Sequence, residues 1–75
     1  METALLNLTA ERCPMALLMA KRATKALSVG QQIEIHVADS GARQDIPRYL
    51  IAHGFNIEVQ ADSHQVLVII VTKRQ

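Results

Sequence analysis

Near the end of this chain stand six successive apolar residues, Val66 to Val71, and that run does most to limit the fold. It is far shorter than the roughly 18 uncharged apolar residues of a membrane span. A strand that is apolar at every position wants cover on both faces, as a central strand has, so its neighbours in a sheet must come from what precedes it. The 75 residues allow one small domain, 1–75, that buries only about 60% of the surface of its unfolded chain.

The flanking strands are legible as alternation. Ile33, Ile35 and Val37 alternate with Glu34 and His36, and Phe55, Ile57, Val59 and Ala61 alternate with Asn56, Glu58 and Gln60, so both read as strands with one wet face. Ala4 to Leu8 reads as a further short strand. Pro14 to Leu27 reads as a helix with Cys13 at its N-cap, Pro14 at the first helical position, and a turn at Val29-Gly30-Gln31 beyond its end. Its apolar arc gathers Met15, Ala16, Met19, Ala20, Ala23, Ala26 and Leu27, and its polar arc Lys21, Arg22, Thr24, Lys25 and Ser28. A second helix, capped by Asp39 or Ser40, carries Ile46, Leu50 and Ile51 inward, is distorted in its first half by Pro47 and stops at Gly54. Asp62-Ser63-His64 then turns the chain into the last strand.

This order, β-α-β-α-β-β, implies an α/β two-layer sandwich: a mixed four-stranded sheet with two helices on one face. A right-handed crossover makes the first two strands parallel and puts both helix starts on the same edge of the sheet. Cys13 and the Asp39 to Asp45 segment should therefore be neighbours.

Composition removes several functions. A single cysteine forms no internal disulfide, which excludes a secreted disulfide scaffold and a two-cysteine oxidoreductase, and a reducing cytoplasm fits best. A formal net charge of +1, with Tyr49 and Phe55 as the only aromatics, supplies neither the field nor the stacking platform for direct nucleic-acid binding. Met1 to Leu8 lacks the basic start of a signal peptide, so the expectation is a soluble, untargeted protein with no membrane span. His36, His53 and His64 lie on separate elements, which argues against a metal site and against a Cys-His hydrolase. Gly30, Gly41 and Gly54 are too far apart for a glycine-rich phosphate cradle, and no cofactor is called for.

Cys13 is the candidate for chemistry. At an N-cap its side chain would face the N–H groups of Met15 and Ala16, with Arg12 as a positive neighbour partly offset by Glu11. Pro14 starts the helix that supplies those groups, which would stabilise a thiolate, the nucleophilic form. The plain alternative is a small buried hydrophobe. Leu17 and Leu18 fall on the polar arc within a turn of Cys13, and with Lys21, Arg22 and Lys25 as a rim they would make a docking surface for a protein partner. Isolated surface leucines are also ordinary. Asp39, Arg43 and Asp45 read either as caps and a local charge pair at the second helix start or as partner contacts. The outward side of Val66 to Val71 is either an apolar stripe or a dimer face, giving a monomer or a weak homodimer.

Arg12-Cys13-Pro14 at the first helix, and Ala38-Asp39-Ser40 followed by Arg43-Gln44-Asp45-Ile46-Pro47 at the second, resemble the TusA-like (SirA-like) sulfur-carrier family across almost the whole chain. The resemblance implies a two-layer α/β sandwich whose cysteine carries sulfur as a persulfide. Such carriers take sulfur from a cysteine desulfurase or another sulfurtransferase and pass it to an acceptor protein, in pathways that include tRNA thiolation, sulfur oxidation and molybdenum-cofactor assembly. The family motif is usually Cys-Pro-x-Pro, whereas Ala16 holds the second proline's place here. Ala10 and Glu11 stand where Gly and Leu are common, and Asn7 where Asp is usual, so the chain resembles a divergent member. Ala16 restores an N–H that proline lacks, so Cys13 should be at least as acidic as with proline.

Two readings follow. In the first, Cys13 accepts sulfane sulfur from a donor protein and relays it to an acceptor docked over Leu17, Leu18 and the basic rim. In the second, the chain is a non-catalytic interaction or regulatory module that keeps the fold and uses the same surface. Replacing Cys13 by Ser separates them.

Overall fold

The computed structural model describes residues 3–74. Met1, Glu2 and Gln75, the ends of the domain expected from sequence, lie outside the described residues. Six elements follow in the expected order: β1 (Ala4–Leu8), α1 (Met15–Lys25), β2 (Gln32–Val37), α2 (Ser40–Ala52), β3 (Asn56–Asp62) and β4 (Leu67–Thr72). The sheet order is β1-β2-β4-β3, with β1 parallel to β2 and β4 antiparallel to both its neighbours. The apolar run is thus a central strand.

Register explains the single core. Ile33 pairs with Val71, Ile35 with Ile69 and Val37 with Leu67, so every buried residue of β2 and β4 points to one side. Leu8, opposite Val37, extends that face into β1. Against it pack Ala16, Ala20 and Thr24 of α1 and Ala42, Ile46 and Leu50 of α2, each series spaced by four residues along one helical face. The other face of the sheet carries no helix. There Ile70 lies between Glu34 and Glu58, and Val68 between His36 and Ala61. Directly opposed side chains on adjacent strands are within reach of one another, which leaves Val68 and Ile70 half-buried with no second layer over them.

Four sequence expectations need correction. Thr24, placed on the polar arc of α1, is fully buried because its hydroxyl donates to the carbonyl of Ala20 at 2.8 Å, one turn back in its own helix. Met15, placed on the apolar arc, is 52% exposed, and Ala26 is exposed too; the inward face is rotated toward the small residues, which let α1 lie close to the sheet. Ile51 is 65% exposed, since only Ala42, Ile46 and Leu50 lie on the buried line of α2. The alternation of β3 breaks at a bulge between Val59 and Ala61. Val59 faces Ile69 on the helix side and Ala61 faces Val68 on the open side, so Asp62, opposite Leu67, is brought round to the helix side.

Helix α2 runs unbroken through Pro47, anchored on either side by Ile46 and Leu50. It ends as expected: Gly54 has φ +83°, and the N–H of Phe55 closes on the carbonyl of Leu50 at 3.0 Å.

Candidate functional site

Parallel pairing of β1 and β2 brings the starts of both helices to one edge of the sheet, and Cys13 lies between them. Its backbone N–H donates to Asp39 Oδ2 at 3.4 Å, and its thiol donates to Asp45 Oδ2 at 3.7 Å. Asp39 caps α2 from an extended backbone (φ −61°, ψ 133°), its Oδ2 accepting the N–H of Ala42 at 3.0 Å. One carboxylate oxygen therefore ties both helix starts together. Gly41 fits because a Cβ there would come 3.3 Å from Asp39 Oδ2 and 3.8 Å from Cys13 Cβ. The expected neighbourhood of Cys13 and the Asp39 to Asp45 segment is present.

The helix start is not arranged as expected. Pro14, at φ −86° and ψ −5°, is the N-cap of α1 and makes no side-chain cap, so Cys13 stands one residue outside that position, across a cis peptide bond. The N–H of Ala16 does not serve the thiol; it donates to the carbonyl of Arg12 at 2.9 Å. Helix α1 begins at Met15, and the backbone N–H that favours the thiolate is that of Leu17. Leu17, not Ala16, thus supplies the N–H that favours a thiolate, and Arg12 contributes elsewhere, its charge helping to keep Asp39 ionised.

The electrostatics reverse the expectation of an acidic thiol. Burial, and then the charges of Asp45 and Asp39 and the hydrogen bond to Asp45, push the Cys13 thiol up from its ordinary pKa, and only the Leu17 N–H acts the other way. Two carboxylates disfavour a third negative charge beside them, and one helix N–H does not outweigh both. Asp39 is held below the usual carboxylate range by the N–H of Ala42 and the N–H of Cys13, with those of Gly41 and the Arg12 guanidinium adding to the effect.

Arg43 does not pair with Asp39 or Asp45. Its Nη2 reaches Asp62 Oδ1 at 2.6 Å and the carbonyl of Ser63 at 2.7 Å, which ties α2 to the end of β3 and leaves Cys13 with no basic partner from α2. The bulge in β3 makes this possible by turning Asp62 toward the helices. The expected docking patch is split as well. Leu18, 49% exposed, joins Met15, Met19 and Arg22 around a shallow cavity of about 200 Å³. Leu17 packs half-buried against the core, and the Lys21 ammonium lies 4.8 Å above the ring of Tyr49 on α2, away from that cavity. Sequence reasoning missed Gly41 at the site and expected Met15 there only through its N–H; the four-residue spacing of Ala16, Ala20 and Thr24 carried the signal for the Met15 side chain, since it turns Met15 outward. Among the described residues, no three of His, Cys, Asp and Glu gather in a group able to hold a metal ion.

This architecture, with a half-exposed cysteine at the shared start of two helices laid on one face of a mixed sheet, defines a class of small thiol-bearing α/β sandwich. The family model described as "Sulfurtransferase TusA" matches residues 4–73, and the chain belongs to that family. A relative in Bacillus subtilis (strain 168), named "Putative sulfur carrier protein YrkI", is 33% identical over 55 residues, 73% of each chain. The crystal structure of a SirA-like protein from Desulfitobacterium hafniense superposes with a TM-score of 0.78 over 97% of this chain and 100% of that one, at 16% identity, which shows the shared fold. No helix among the described residues is long and apolar enough to cross a membrane.

Proposed function

We propose that the protein is a sulfur carrier in which Cys13 takes sulfane sulfur as a persulfide from a donor protein, such as a cysteine desulfurase or another sulfurtransferase, and yields it to an acceptor protein. The observation that carries this reading is the position of Cys13, half-exposed where both helices start, in a chain of the sulfurtransferase family. In the first step the Cys13 thiolate attacks the outer sulfur of a donor persulfide. The donor S–S bond breaks, a new S–S bond forms on Cys13, and the donor cysteine departs as a thiolate that takes up the proton Cys13 lost. Oxidation states only change places, so no external oxidant or reductant enters. The second transfer repeats the step, with the acceptor's nucleophile attacking the outer sulfur.

The chain is small, and Cys13 does not line the cavity beside Leu18, so the partner must supply much of the reaction environment. Asp45 accepts the hydrogen bond of the thiol and, after burial, is the main cause of its raised pKa in the free protein. A donor that presents a cation over Asp45 and Asp39 would offset their charge and release the thiolate where the persulfide is in reach. Met15, Leu18 and Arg22 offer the adjoining contact surface.

Intact-mass measurement after incubation with a cysteine desulfurase and cysteine tests the proposal. A gain of one sulfur atom that is removed by reductant and absent in Cys13→Ser is the expected result. A folded protein with an alkylatable Cys13 that gains no sulfur from several donors would reject it. One observation favours the second reading, a non-catalytic interaction module: the carboxylates beside Cys13 raise its pKa instead of lowering it. In that case Cys13→Ser keeps both partner binding and biological activity.

A further inference from the structure

The net charge of +1 conceals a segregation of charge along the molecule. Asp39 and Asp45 stand at the Cys13 end. At the opposite end, where both helices finish and β4 ends, Lys25, His53, Lys73 and Arg74 converge on one cavity of about 270 Å³. Phe55 and Tyr49 give it an aromatic wall, and among the described residues no carboxylate side chain lines it. Among the described residues the ion pairs are His36 with Glu34 and Arg43 with Asp62, so Lys25, Lys73 and Arg74 have no ion-pair partner there. Lys21 lies over the ring of Tyr49, which stacks on His53 at 4.1 Å between ring centres.

Lys25 closes α1, and the negative end of that helix dipole accounts for it, whereas His53, the C-cap of α2, sets its Nδ1 2.9 Å from the carbonyl of Tyr49. Lys73 and Arg74 follow a strand, whose dipole is small, and no ion pair among the described residues answers their charge. The walls are also fixed. The N–H of Lys73 donates to the carbonyl of Gln31 at 3.1 Å, and its own carbonyl accepts the N–H of Gly30 at 2.8 Å. Gly54, held at φ +83° by the end of α2, leaves its side of the cavity open, with nothing within 4 Å of where a Cβ would stand. A concave, partly aromatic site with a few convergent charges of one sign is a common form of small-molecule site.

We propose that this cavity binds a small organic phosphate, with its phosphoryl oxygens on Lys25, Lys73 and Arg74 and its less polar body against Phe55. Lysine and arginine on separate segments are the usual holders of a phosphoryl group, and the cavity has space beyond one such group. The site lies at the other end of the sheet from Cys13 and does not depend on sulfur chemistry there.

Nitrogen-15 NMR titration of the whole chain with adenosine triphosphate and, separately, with inorganic phosphate tests the proposal, with sodium chloride at matched ionic strength as the control. The expected result is a saturable shift of the Gly54, Phe55 and Lys73 amides, with those of Cys13 and Asp45 unmoved. Lys73→Gln or Arg74→Gln should weaken binding about tenfold each, the value of one charge-assisted hydrogen bond. Tighter binding of the nucleotide than of phosphate supports a contribution from the organic body. Inorganic phosphate binding as tightly would overturn that part of the assignment. The whole proposal is overturned if neither probe gives a saturable shift, if chloride gives the same shifts, or if both variants bind as the wild type does. Arg74 is exposed beyond the last strand, so Arg74→Gln remains informative even if Lys73→Gln disturbs the fold.

Discussion

The chemistry of Cys13 is decided by two acceptors that come from another element. Asp39 and Asp45 lie 26 and 32 residues along the chain from it, and both put a carboxylate oxygen against it. Burial first, and then their charge, works against ionisation and pushes the thiol pKa up, away from the reactive thiolate. Asp45→Asn removes one of those charges and moves the pH profile of thiol reactivity to lower pH. Alkylation of Cys13 by neutral iodoacetamide at pH 7 should become several-fold faster, while Asp45→Glu, which keeps the charge, should stay near the wild-type rate. Thiolate absorbance followed against pH gives the same comparison directly, and an unchanged or slower reaction of Asp45→Asn would mean that the carboxylate does not control the thiol. Ala16 illustrates how local reasoning goes astray here. Its N–H is free in the sequence pattern, yet the carbonyl of Arg12 takes it.

Helices α1 and α2 differ in how plainly their faces are written. The buried line of α2 runs through Ile46 and Leu50, large residues whose inward direction is legible from spacing alone. That of α1 is built from Ala16, Ala20 and Thr24, and a hydrophobicity pattern drawn toward Met15 and away from Leu17 points the helix the wrong way by part of a turn. Denaturant midpoints of single variants should follow the observed faces. Leu50→Ala should cost about 2–5 kcal/mol, since the side chain is fully buried. Thr24→Val should change stability by less than about 1 kcal/mol, because the hydroxyl bonds only to carbonyls of its own helix and its loss leaves no donor unpaired. Ile51→Ala, on the exposed side, should stay within about 0.5 kcal/mol. A large loss at Ile51 with little at Leu50 would show that α2 packs through a different face.

One contiguous cluster joins β1, β2, β4 and both helices, with no second core among the described residues. A chain with one core should unfold as one unit. Urea unfolding followed by helix circular dichroism and by the fluorescence of Tyr49, the only tyrosine, should give coincident curves. A separate early loss of the tyrosine signal would instead mean that the α2 layer leaves before the sheet. Charge is distributed on the same scale. Acids stand beside the cysteine and unmatched cations at the far end, so an overall charge near zero is a poor guide to what either end binds.

Periodicity and punctuation were sufficient for the element order, the parallel first pair, the central place of Val66 to Val71 and the meeting of Cys13 with the Asp39 to Asp45 segment. These depend on local backbone preferences and on the handedness of a crossover, both properties of short stretches of chain. The partner of Arg43, the upward shift of the thiol pKa and the burial of Thr24 were set by contacts between elements. A one-residue bulge in β3 redirected Asp62, and the close seating of small residues rotated α1. Coulomb interactions and packing act over a few ångströms in space, whatever the separation along the chain, so they become readable only when the fold has brought those residues together.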